Sequence, residues 1–234
     1  MLEKEPDAES RKPQAINVEP LRATDRAIRW YAWPVHPTSI FHTHDVATLV
    51  ARLRANPFLV FAVCGTSSAL FAHAPALISD DGTELRFHLS RNNSLVPLLA
   101  AGARLRATST GAHAYISPDW YGIDDQVPTW NYESVEVEGG VSILDAAEAV
   151  RFLDDLSNVF EATLSPKKPW TRATMSDGLF ERMLHGIVAY RMNVTALVGT
   201  SKLSQNKPAS AQRGVIHALG EEHPIARAMT KNLA

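Results

Sequence analysis

Leu70-Phe71-Ala72-His73-Ala74-Pro75-Ala76-Leu77-Ile78-Ser79-Asp80-Asp81-Gly82-Thr83-Glu84-Leu85-Arg86-Phe87-His88-Leu89-Ser90 is the stretch on which the fold turns. Asp81-Gly82 supplies the positive φ angles that a tight hairpin requires, so 68–78 and 84–90 read as antiparallel neighbours. Upstream, Phe58-Leu59-Val60-Phe61-Ala62-Val63-Cys64 is an apolar run of strand length. Asn56-Pro57 separates it from a helix that starts at Asp45 and repeats Val46, Leu49, Val50 and Leu53 at helical spacing. Downstream, 93–101 reads as a short apolar helix that tolerates Pro97 only in its first turn, and Gly102 ends it. Strands follow at 103–110 and 112–117, and 130–144 reads as one long or bulged strand. Asp145 with Glu148 opens a helix in the manner of a capping box, with Val150, Leu153, Leu156, Phe160 and Leu164 as its apolar face. Ser176 begins another, with Leu179, Met183, Leu184 and Ile187 inward; 188–199 returns as a strand, and Ser210 to Leu219 is a final short helix. Strands broken by helices of unequal length, without regular alternation or a solenoid repeat, predict a mainly β, α+β fold: an antiparallel barrel decorated by helices.

The 234 residues are 45% hydrophobic and 21% charged, as in ordinary globular proteins, and one domain accounts for the length. Residues 1–35 are expected to be a mobile extension: the first twenty are polar and carry Pro6, Pro13 and Pro20, while Trp30, Tyr31 and Trp33 are suited to packing on a neighbouring surface. The domain proper is placed at 36–220, with a tail over 221–234. Cys64 is the only cysteine and sits in an apolar run, so it reads as a buried, inert thiol of a reducing compartment. No signal peptide pattern and no run of eighteen apolar residues occurs, which places the chain in the cytoplasm, off the membrane. A net charge of −2 with scattered lysines and arginines gives no support to direct DNA binding.

None of the nine histidines stands in a zinc-type arrangement, and His42 with His44 reads as solvated or capping, so no metal site is expected. No Walker or Rossmann glycine pattern occurs. Three segments nonetheless exceed what packing needs. They are Ala114-Tyr115-Ile116-Ser117-Pro118-Asp119-Trp120-Tyr121 with Val127-Pro128-Thr129-Trp130-Asn131-Tyr132; Lys202-Leu203-Ser204-Gln205-Asn206-Lys207; and His73-Ala74-Pro75 with Phe87-His88-Leu89-Ser90-Arg91-Asn92. Polar and cationic side chains among large aromatics at strand ends suit a planar anion with polar edges.

These segments resemble the PaiB-type FMN-binding negative transcriptional regulators of the flavin-binding split-barrel superfamily, over about residues 40 to 219. The resemblance implies a six-stranded antiparallel Greek-key split barrel, FMN as cofactor, and a homodimer with each flavin between subunits. The chain departs from the family at its start and around 65–72. A flavin phosphate wants charged forks and hydroxyls, for which Arg91, Lys202 and Ser204 are the candidates. The ring wants an aromatic or apolar wall and amide partners, which Pro75, Thr129, Trp130, Asn131, Gln205, Asn206 and Asn92 can supply. His73 and His88 either border the cofactor or are core histidines. Tyr115, Trp120 and Tyr121 read as packing or dimer contacts.

The resemblance implies a regulatory or sensing flavoprotein whose link to transcription is indirect, since the candidate helices carry mixed charge. A flavin reductase or pyridoxamine-phosphate-oxidase-like oxidoreductase is the alternative on the same fold. Haem on the same barrel is a third reading, which needs an axial His, Tyr, Cys or Met.

Overall fold

The computed structural model describes residues 36–64 and 69–233, the side chain of Cys64 excepted. The extension expected at 1–35, the burial expected of Cys64 and residues 65–68 lie outside the described residues.

A 3-10 turn at Ser39–Phe41 leads into the two-residue strand β1 (His42–Thr43) and helix α1 (Val46–Ala55). Asp45 caps α1 by accepting the Thr48 amide, and Leu49, Val50 and Leu53 turn inward as their spacing predicts. Strands β2 (Phe58–Cys64), β3 (Ala69–Ile78) and β4 (Glu84–Ser90) form an antiparallel meander. Its second turn is the one read from Asp81-Gly82: Gly82 takes a φ of 71° and donates to the Ser79 carbonyl. Helix α2 (Leu95–Ala100) holds Pro97 in its first turn, where the missing amide has no helical partner to lose.

Strand β5 (Leu105–Ile116) then crosses to pair with β2, giving the spatial order β5-β2-β3-β4 of a Greek key. After β6 (Thr129–Ile143), α3 (Ala146–Ala162) and α4 (Leu179–Leu184), strand β7 (Ile187–Lys202) pairs with β4 through its first part and with β6 over most of its length. Six strands thereby close a ring, and β1 rides on β7 as a seventh. The chain thus has the expected split-barrel fold. Inside, Phe61, Phe87 and Tyr190 stack with ring centroids 4.3 and 5.2 Å apart, and α1 covers one end. Leu49 comes so close to β7 that a Cβ on Gly199 would sit 2.3 Å from it.

Helices α5 (Ala209–Leu219) and α6 (Pro224–Leu233) pack on the outer end of β5 in a second apolar cluster with Tyr121 and Leu203. Residues 221–234 therefore contain a packed helix where a tail was expected, because Ile225, Ala226 and Met229 are apolar on one face and fully buried. Other local readings also shift. The two strands read at 103–110 and 112–117 are one, with a bulge between Thr110 and His113. On α3 the buried positions are Ala149, Phe152 and Leu156, with the expected Leu153 and Phe160 partly buried against the same cluster, while Leu164 falls beyond the helix and is exposed. Helix α4 starts after Gly178 and not at Ser176, and Met183, expected inward, is 61% exposed. No helix among the described residues is long and apolar enough to cross a membrane.

Candidate functional site

The residues singled out in the sequence gather in two places. His73, Pro75, His88, Arg91 and Asn92 lie on β3, β4 and the turn after β4, beside the start of β7. Thr129, Trp130, Asn131, Lys202, Ser204, Gln205 and Asn206 lie around its end. The two groups are separated by the 16 residues of β7, a strand path of roughly 50 Å.

At the first place an open groove of about 520 Å³ is lined by His73, Pro75, His88, Ser90, Met183 and Ile187, among others. His73 is exposed and stacks against Phe58 at 6.1 Å. His88 is half-buried, its ring edge to Phe152, and burial lowers its pKa below the ordinary histidine value. Arg91 does not point free: its Nε and Nη2 donate to the carbonyls of His185 and Ile187 at 2.7 and 3.0 Å, which ties β4 to the start of β7. Asn92 is exposed on the turn.

At the second place Lys202 is half-buried, and its Nζ donates to Thr129 Oγ1 at 2.6 Å. Burial pulls its pKa below the usual lysine range, and no carboxylate among the described residues pairs with it. Tyr132 faces it across β6, and one rung further along Trp130 and Tyr115 stand opposite each other with ring centroids 6.3 Å apart. These rings are 54% and 48% exposed, so they form an aromatic wall open to solvent beside a cation. Lys202 and this wall can hold a planar anion.

Asn131 and Ser204 point the other way, into the cluster beneath α6. The Ser204 hydroxyl meets Tyr121 and both ends of the Asn131 amide at 2.9 to 3.2 Å, and all three residues are buried. Gln205 closes the turn after β7: its Oε1 accepts from the Leu203 amide, and its Nε2 donates to the Ile40 and Ser201 carbonyls. Asn206 is exposed. Strand register brings to the Lys202 side two polar residues that the sequence did not mark, Thr200 and Ser134 opposite it, together with His42, which was read as solvated or capping and pairs with Thr200 on the other flank. Only pairing across β6, β7 and β1 aligns them, and no local motif carries that signal.

Over 122 residues the chain is 35% identical to the Bacillus subtilis protein named protease synthase and sporulation protein PAI 2, covering 52% of this chain and 58% of that one. It spans just over half the length of the curated relatives it matches. Among solved structures, an FAD- and haem-binding protein of Mycobacterium smegmatis superposes with a TM-score of 0.53 at 17% identity, over 76% of this chain and 80% of that one. The flavocytochrome Anf3 of Azotobacter vinelandii gives 0.53 at 13% identity, over 71% and 72%. At such identities these two share the fold. Residues 35–196, well over half of the chain, match the family described as "Putative FMN-binding domain", and to that family the chain belongs.

Proposed function

We propose that the chain binds FMN between the two subunits of a homodimer and acts as a regulatory or sensing flavoprotein of the cytoplasm. The observation that carries this reading is the Lys202 edge: a half-buried ammonium without a carboxylate partner among the described residues, next to the exposed rings of Trp130 and Tyr115. A phosphate group suits the first and an isoalloxazine ring the second. FMN, when bound, supplies one- and two-electron redox chemistry.

The dimer is supported by what a single chain leaves apart and uncovered. Phe58 and Phe71 are 64% and 60% exposed on the outer face of β2 and β3, next to His73 and Pro75. In this reading that face meets a second copy, and the groove of one subunit faces the Lys202 edge of the other. The regulatory role draws on the sporulation named in the relative from Bacillus subtilis. An indirect route to transcription suits the near-neutral charge.

Isothermal titration of flavin-free protein with FMN tests the reading. Lys202→Ala should weaken FMN by about 1.5–3 kcal/mol while thermal melting stays close to the parent. Undiminished affinity in that variant would place the phosphate elsewhere. Rapid reduction of the bound flavin by NAD(P)H would move the function to the oxidoreductase alternative.

A further inference from the structure

The wall formed by Trp130 and Tyr115 does not end at those two rings. His113 is exposed with its ring 6.1 Å from that of Trp130, and Ile40, 52% exposed, stands in the turn that leads into β1. Residues two apart on a strand share a face, and directly paired residues share it as well. His113, Tyr115, Trp130, Tyr132 and Lys202 therefore lie on one side of the sheet. An aromatic strip left in water next to a cation marks a surface that something covers.

The chain itself runs up to this strip. His36, the first described residue, is fixed beside it: its carbonyl accepts from His42 Nε2, its ring meets Phe41 edge-on at 4.7 Å, and it lies close enough to Lys202 to feel that charge. Gln205 holds the Ile40 carbonyl, and β1 is paired to Thr200 and Gly199 of β7. Directly before His36 the sequence reads Trp30-Tyr31-Ala32-Trp33-Pro34-Val35, with three aromatic rings and no charge. These six residues span at most about 20 Å. The strip lies within that reach of Lys202. Trp130 is two residues from Tyr132, which pairs with Lys202, a step of roughly 7 Å along β6, and β5 lies about 5 Å further across. Tryptophan and tyrosine faces attract an ammonium group such as that of Lys202. Arg29 is the next charge upstream, so like-charge repulsion sets the limit of what can lie there.

We propose that residues 30–34 pack across the Trp130 and Tyr115 wall of their own chain as a strap anchored at His36. So short a tether holds the strap at an effective concentration in the millimolar range, so weak aromatic contacts are enough to keep it there. The strap and a planar ligand need the same wall, and the ligand has to displace it. That consequence, though not the docking, rests on the flavin reading. The strap then sets the flavin concentration at which the site fills.

Photo-crosslinking of the full chain carrying Tyr31→p-benzoylphenylalanine tests the docking without any ligand. Peptide mapping should find the cross-link on 113–116 or 129–132 of the same chain, and Trp130→Ala should lower its yield. A cross-link elsewhere on the barrel, one that joins two chains, or none at all overturns the strap. Trp30→Ser together with Trp33→Ser, again in the full chain, tests the competition by isothermal titration with FMN. A strap docked in roughly two thirds to nine tenths of the molecules reduces the apparent affinity by the fraction left open, so its loss should raise FMN affinity about threefold to tenfold. Equal or weaker affinity in the variant overturns the competition. If neither protein binds FMN, the flavin reading fails by itself, and the cross-link still decides whether the strap is docked.

Discussion

Asn131 and Ser204 lie within a few residues of Lys202 in strand register, yet they perform a different task. Ser204 adopts a φ of 62°, a conformation uncommon outside glycine, and its hydroxyl joins Asn131 and Tyr121 in a closed buried network. Such a network holds a special backbone turn in place, because each polar group has its partner and none is left in the apolar cluster around Met229. Asn131→Ala should cost about 1–3 kcal/mol, since it strips two bonds from Ser204 and opens a small cavity. Urea unfolding measures this, and a loss under about 0.5 kcal/mol would show the network to be incidental. Lys202, by contrast, has one hydroxyl partner and partial exposure, so its removal is expected to be felt in binding and hardly in folding. The sequence presents all three residues as equals among strand-end polar groups. Alternation along β6 separates Asn131, which points in, from Trp130, which points out, and that phase depends on the register of the whole strand.

At the level of elements, legibility follows the range of the signal. The Asp81-Gly82 turn and the Asp145/Glu148 capping box are local chemistry, and both form as their residues dictate. The phase of α3 is not local: Phe152 and Ala149 face Leu144 and Ala189 on the sheet, and that packing selects which of several apolar stripes is buried. Helix α6 was hidden for a related reason. Glu221-Glu222-His223-Pro224 has the look of a tail, although Pro224 is the first residue of a helix that α5 and β5 hold in place. The same pair of helices depends on a glycine. A Cβ at Gly214 on α5 would lie 2.3 Å from the backbone carbonyl of Trp120 in the Pro118–Tyr121 turn, and backbone has little freedom to give way. Gly214→Ala is therefore expected to destabilise by about 1–3 kcal/mol, even though alanine is the better helix former. Gly140→Ala, whose Cβ would meet nothing within 4 Å, serves as the control and should change stability by no more than about 0.5 kcal/mol. Equal melting temperatures for the two variants would refute the close-contact argument.

On the scale of the whole molecule, the residues alone pointed to an antiparallel barrel with 68–78 beside 84–90, and the Greek-key arrangement came from the family resemblance. The candidate site was not legible, because its two groups of residues sit at opposite ends of β7 and only strand pairing shows where each falls. A barrel of this size leaves Phe58, Phe71, Trp130 and Tyr115 largely open to water, and apolar rings exposed together mark surfaces meant to be covered. In the dimer proposed above, such a face is covered by its own copy, and one subunit's groove would meet the other's Lys202 edge. Light scattering at micromolar concentration should therefore report twice the chain's mass of 25.7 kDa. Phe71→Glu introduces a charge on that face without disturbing the core, since the side chain points away from the barrel interior. It is expected to give a folded monomer with a normal melting transition and with FMN affinity reduced at least tenfold, because half of the site would then be missing. A parent protein that is monomeric at that concentration would remove the two-subunit site. A Phe71→Glu variant that is monomeric and still binds FMN fully would show that one chain holds the flavin alone, and the groove beside His73 and His88 would then be left for a different ligand.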